Sequence, residues 1–217
     1  MALAIFDLDN TLLNGDSDYL WGRFLANKGY VDGDEYERQN RQYYEDYKAG
    51  QLDIYEFLRF SLNPLTEIGL DTLNKLHQEF MQTEILPIIT PASRQLIDKH
   101  RQCGDVLMII TATNRFITEP IAKELGIEHL IATEPEITDG QYTGNVSGTP
   151  CFKEGKIKRL NEWLAQNRIE MKDSWFYSDS LNDIPLLEQV DNPVAVDPDD
   201  TLTQHAEMKG WPIISLR

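Results

Sequence analysis

Asp7 and Asp9 stand two positions apart, where the apolar run Leu3–Phe6 ends. Asp179 and Asp183 follow a second apolar run, Trp175-Phe176-Tyr177, and Thr111 follows a third, Val106–Ile110. A charge at the end of so apolar a stretch is costly unless something pairs with it. Carboxylates brought together repel, and their pKa values rise. A hard divalent cation relieves this, and Mg²⁺ is the usual choice where phosphate oxygens complete its shell. One carboxylate can then attack phosphorus and form an acyl phosphate. A second, two residues on, points to the same end of its strand and can protonate the leaving oxygen, then deprotonate water. A threonine hydroxyl and backbone N–H groups before a helix can hold phosphate oxygens, and a lysine would balance the remaining charge.

For such residues to meet, their strands must lie side by side. Beyond residue 86 the pattern alternates: helix from Pro91 to Gln102, strand Val106–Ile110, helix Arg115–Leu125, strand Leu130–Ala132, helix Glu154–Asn167, strand Trp175–Tyr177, short helix Asn182–Gln189, strand Val194–Val196, and a last helix near Leu202–Lys209. Residues 134–149, rich in Gly and Thr, predict a hairpin or flap. Alternation of this kind predicts an α/β fold, a Rossmann-like doubly wound parallel sheet, and ligands bind beyond the carboxyl ends of its strands. Between Asp18 and about Met81 the chain is dense in Tyr, Glu, Arg and Leu at helical spacing, with no convincing strand. The reading is a core of residues 1–14 and 86–217 with a helical cap of residues 15–85 inserted.

The stretches DLDNTLL, IITATN, CFKEGKIKRL and YSDSLNDIPLL resemble the four motifs of the haloacid dehalogenase-like (HAD) superfamily, across nearly the whole chain. The insertion after the first motif resembles a C1-type cap and points to the phosphoserine-phosphatase-like branch, subfamily IB. The resemblance implies roles by position. Asp7 would be the nucleophile and a Mg²⁺ ligand; Asp9 the general acid and base, giving its backbone carbonyl to the metal; Asp179 a further metal ligand. Thr111 would bind phosphate, with Asn114 and Asn182 among the substrate contacts. Asp183 would orient a metal-bound water or the lysine, and Ser178 lets the backbone turn close to the metal. Lys153 and Lys156 both lie where the third motif carries its lysine. Counting back from the apolar face of the next helix favours Lys153, as a supporting residue if not the motif lysine; the Glu-Gly-Lys wording favours Lys156, which is preferred. A dehalogenase is disfavoured, since those enzymes lack the second aspartate that Asp9 supplies.

Asp16 lies nine residues after Asp7, the spacing at which phosphoserine phosphatases hold the substrate amine, and Asp18 is close by. Asp16 also suits a helix N-cap. The family's carboxylate-binding arginine has no secure match; Arg59, on a cap helix, reads better as solvated. Keeping the acid without that arginine would shift preference from phosphoserine toward a phosphorylated amino alcohol such as histidinol phosphate. The cap aromatics Tyr19, Trp21, Tyr43, Tyr44 and Tyr47 read as core, or as a surface for a ring to stack on.

The chain has 217 residues, 41% hydrophobic and 26% charged, and a formal net charge of −16. That balance disfavours nucleic acid and anionic membrane as partners. Cys103 and Cys151 form no C-x-x-C, and Ile109 and Ile157 stand where a cysteine phosphatase needs its arginine. With no signal-peptide pattern at the N-terminus, a reduced, cytoplasmic setting is expected. The sequence therefore predicts a Mg²⁺-dependent phosphatase for a small-molecule phosphate ester. A phosphotransferase using the same aspartyl phosphate, or a non-catalytic phosphate- or metal-binding module, are the other readings.

Overall fold

Leu3, Ala4, Ile5 and Phe6 are all fully buried, as only a strand covered on both faces can be. The computed structural model describes residues 2–217. In it these four residues form β1 (Leu3–Phe6), followed by a wide turn over Leu8–Leu12 and four helices: α1 (Ser17–Asn27), α2 (Gly33–Lys48), α3 (Ile54–Glu67) and α4 (Leu70–Phe80). Next come α5 (Pro91–Gln102), β2 (Val106–Asn114), α6 (Arg115–Glu124), β3 (His129–Thr133) and the hairpin β4 (Pro135–Thr138) and β5 (Gln141–Val146). The chain finishes with α7 (Glu154–Asn167), β6 (Trp175–Ser178), α8 (Ile184–Leu187), β7 (Asn192–Val196), α9 (Asp200–Lys209) and β8 (Ile213–Ile214).

Six strands form one parallel sheet in the order β3-β2-β1-β6-β7-β8. Side chains alternate across it. Ala4, Phe6, Ile109, Tyr177 and Val194 pack with Ile97 of α5 and Ile117 and Ile121 of α6. Leu3, Ile5, Met108, Phe176 and Ala195 pack with Leu160 of α7, Leu186 of α8 and Leu202 of α9. Helices thus cover both faces. The strand order reverses between β1 and β6, so the ends of these two neighbours form the crevice where such sheets bind ligands.

The passages into and out of the helical insertion lie together: Leu13 bridges Ile89, and Asn14 N donates to Ile88 O at 2.8 Å. The hairpin β4–β5 packs on α3, with Thr66 Cγ2 near Gly144 and Phe116 against Tyr142. Trp21 is buried in the core against Phe24, Phe80 and Phe116; Tyr43 is half-buried against Phe57 and Phe60, and Tyr44 is exposed.

Three expectations need correction. The strand expected over Val106–Ile110 runs on to Asn114 across a register shift against β3, because Thr111 and Thr113 continue the extended backbone. The helix expected over Asn182–Gln189 is a 3-10 turn, Leu181–Asp183, followed by α8, because Pro185 suits only a helix start. The edge strand β8 was not anticipated; two residues carry no readable period. Among the described residues no helix is long and apolar enough to cross a membrane.

Candidate active site

The ladder between β1 and β6 extends one step beyond the strands, where Asp7 N donates to Tyr177 O at 2.9 Å. This fixes Asp7 at the crevice, buried to 7% exposure. Lys156, from the first turn of α7 and also buried, donates to Asp7 Oδ1 at 2.9 Å and to Asp183 Oδ2 at 2.8 Å. Ser178 Oγ donates to the same Asp183 oxygen at 2.7 Å. Asp183 therefore orients the lysine. Lys153, by contrast, donates to Gly50 O at 2.6 Å, at the end of α2. Of the two lysines, only Lys156 reaches the carboxylates of the crevice.

The turn after β1 places the second carboxylate. Asn10 takes φ +54, which asparagine tolerates better than most residues, and Leu13 N donates to Leu8 O at 3.0 Å. Asp9 then accepts from Ser17 N, at the N-terminus of α1, at 2.7 Å and from Thr113 Oγ1 at 2.8 Å. Thr11 Oγ1 donates to Asp179 Oδ1 at 3.0 Å, tying the turn to the end of β6. Thr11 and Thr113 were missed as site residues. The signals were available: Thr11 lies two positions after Asp9, and Thr113 shares a strand side with Thr111.

Thr111 is buried and accepts from Thr113 N at 3.2 Å. It lies inside β2, three residues before the Asn114 N-cap of α6. Asn114 is committed elsewhere: its Oδ1 accepts from Ile117 N at 3.3 Å and its Nδ2 meets Asp18 at 3.5 Å. Asp16 caps α1 by accepting from Tyr19 N at 2.9 Å, and its charge also bears on Asp9. Asp18 is 7% exposed, and its Oδ2 has no hydrogen-bond partner among the described residues. Asn182 is buried, bonded through Nδ2 to Ser180 Oγ at 3.2 Å, with Oδ1 left without a partner. Arg59 is exposed on α3.

The electrostatics follow from burial. Burial pushes the Asp7 carboxyl up to about 7; Lys156 opposes this, while Asp183 and Asp9 add to it. Burial and the charge of Asp16 push Asp9 up to about 6, against its hydrogen bonds from Ser17 and Thr113. Asp179 lies well above the usual carboxylate range, through burial and then the charges of Asp7 and Asp183. For Lys156, burial would favour loss of the proton, but Asp183 and Asp7 outweigh it and hold the ammonium charged. One lysine thus meets two carboxylates, Asp7 and Asp183.

The model for haloacid dehalogenase-like hydrolases matches residues 4–188. The chain belongs to that family. This hydrolase is 48% identical over 219 aligned residues to a histidinol-phosphatase of Neisseria meningitidis serogroup C, covering 99% of both chains. It is 31% identical to a phosphoserine phosphatase of Mycobacterium tuberculosis, covering 100% of this chain and 71% of the other. The crystal structure of a Bordetella pertussis protein of unknown function superposes on it with a TM-score of 0.94 at 44% identity, over 100% of this chain and 99% of that one.

Proposed function

We propose that this hydrolase is a Mg²⁺-dependent phosphatase that cleaves a small phosphate monoester through an aspartyl phosphate on Asp7. The observation that carries the reading is the bridge of Lys156 between Asp7 and Asp183, beside an Asp9 whose carboxyl is raised to about 6. An Asp7 oxygen attacks phosphorus as the bond to the substrate alkoxide breaks. Asp9, protonated, gives its proton to that alkoxide. The resulting Asp9 carboxylate takes a proton from water, which attacks the acyl phosphate, frees inorganic phosphate and restores Asp7. Thr111 and the adjoining backbone hold phosphate oxygens, and Lys156 offsets their charge. The helical insertion acts as a cap that keeps bulk water out.

Among the described residues no three His, Cys, Asp or Glu side chains form a metal cage by themselves. The donor set nonetheless fits a hard dication: burial raises both Asp7 and Asp179, and the charge of Asp7 raises Asp179 further. Those two carboxylates and the Asp9 carbonyl would hold Mg²⁺, which supplies a fixed positive charge for the phosphate oxygens.

For the substrate, we favour a phosphorylated amino alcohol, histidinol phosphate before phosphoserine. Asp16 and Asp18 form no ion pair among the described residues, and the free Asp18 Oδ2 suits a cationic substrate group. The exposed Arg59 supplies no buried partner for a substrate carboxylate. The 48% identical histidinol-phosphatase supports the same order. The test is phosphate release across a panel of phosphate monoesters, with Mg²⁺ and again with EDTA. Mg²⁺-dependent release, fastest from histidinol phosphate, is expected. Release unchanged by EDTA would overturn the metal, and phosphoserine ahead of histidinol phosphate would overturn the substrate order.

A further inference from the structure

The C-terminal turn of α2 touches the crevice loops, and the mechanism above uses none of these contacts. Tyr47 OH donates to Ser180 Oγ at 2.8 Å. Tyr47 O accepts from Asn182 Nδ2 at 3.4 Å, and Gly50 O accepts from Lys153 Nζ at 2.6 Å. The Tyr47 ring also lies 6.1 Å from that of Phe152. Gly50, at φ +68, ends α2, and its carbonyl at the negative end of the helix suits the lysine ammonium. The Ser180 hydroxyl that Tyr47 meets is no spectator. It accepts from Asn182 N at 3.2 Å, capping the 3-10 turn whose last residue is Asp183, and Ser180 itself directly follows Asp179. Ser180 N in turn donates to Ser178 Oγ, the group that holds Asp183.

We propose that Tyr47 is a positioning residue: through Ser180 it fixes the loop that carries Asp179 and Asp183, and Lys153 clasps the same end of α2 to the third-motif loop. Seating of the helical insertion and ordering of the acidic loop are then one event. The loop is fully set only when α2 is docked, so the insertion acts on the reaction geometry as well as covering it. Only the kinetic arm of the test rests on the phosphatase reading.

Backbone hydrogen exchange on Tyr47→Phe tests this without substrate. Amides of residues 181–183 should exchange about fivefold faster or more, as expected for loss of one hydrogen bond, while those of β1 and β2 keep their wild-type rates. Ser180→Ala, which also loses the bond from Asn182 N, should raise these rates at least as much, and the double variant should add nothing to Ser180→Ala. Wild-type exchange at 181–183 in Tyr47→Phe, or effects of the two variants that add, would overturn the proposal. In turnover, Tyr47→Phe should lower kcat with KM little changed; a raised KM at constant kcat would overturn the positioning role. Faster exchange in a protein that cleaves no ester would leave the positioning role standing and the phosphatase reading overturned.

Discussion

Lys156 is where the chemistry and the stability of the site meet. Its ammonium bridges Asp7 and Asp183, and all three groups are buried. Removing it takes the ammonium from two buried carboxylates, so Lys156→Ala should lower kcat/KM by about 10³, the cost of a lost charge-stabilising group. It should also lower unfolding free energy by about 3 kcal/mol. Lys153→Ala removes a hydrogen bond to a backbone carbonyl at the rim and should cost only about fivefold. Steady-state kinetics and denaturant unfolding of both variants check this; a crippled Lys153→Ala with an active Lys156→Ala would reverse the assignment. In the sequence the two lysines flank Glu154-Gly155 and could not be separated by motif wording alone. What separates them is backbone: Lys153 takes φ +47 before α7, while Lys156 is already inside the helix and aimed at the crevice. The aspartates were legible because each ends an apolar run. Thr113 was not, because its partner Asp9 lies 104 residues away.

The elements that deliver these groups were legible to different depths. The helix α7 was placed at Glu154–Asn167 because its apolar period is clean and Lys153 stops it. The end of β2 was not, since Thr-Ala-Thr-Asn has no apolar alternation and is held by a register shift against β3. The contact of α2 with residues 180–182 lies beyond any periodicity argument, because it joins segments 133 residues apart. The start of α7 carries a further constraint. A Cβ at Gly155 would lie 2.1 Å from Pro150 O, a backbone atom that cannot rotate aside. Gly155→Ala should therefore push the first turn of α7 away from the loop, cost about 2 kcal/mol and reduce kcat by displacing Lys156. Gly69→Ala, at the N-cap of α4 with open space around the added carbon, is the matched control and should keep wild-type activity. Equal activity and melting temperature in the two variants would mean that the α7 turn yields without moving the lysine.

For the molecule as a whole, the acidic crevice sets how stability responds to pH. Burial raises Asp7 to about 7 and Asp9 to about 6, from an ordinary value of 3.8. Between these limits the folded protein binds protons that the unfolded chain has released. The stability slope with pH is therefore negative: the contribution of these groups is complete below 3.8 and is lost as pH rises through about 6 and then 7. Glu134 works in the opposite sense. Burial alone would raise it, but hydrogen bonds from Arg115 and Arg159 hold it below its ordinary 4.5, so its contribution is complete above that value and lost below it. A dication held in the crevice, as proposed, would take the place of the protons on the raised carboxylates. Mg²⁺ should then stabilise most where those protons are gone. At saturating Mg²⁺ the melting temperature is expected to rise by about 5 °C near pH 8 and by less than half as much near pH 5.5, with EDTA reversing both. Asp179→Asn should abolish the difference. Thermal melts at the two pH values decide it: no rise near pH 8 would mean that the carboxylates at the ends of β1 and β6 hold no metal, and an equal rise at both that the metal does not displace their protons.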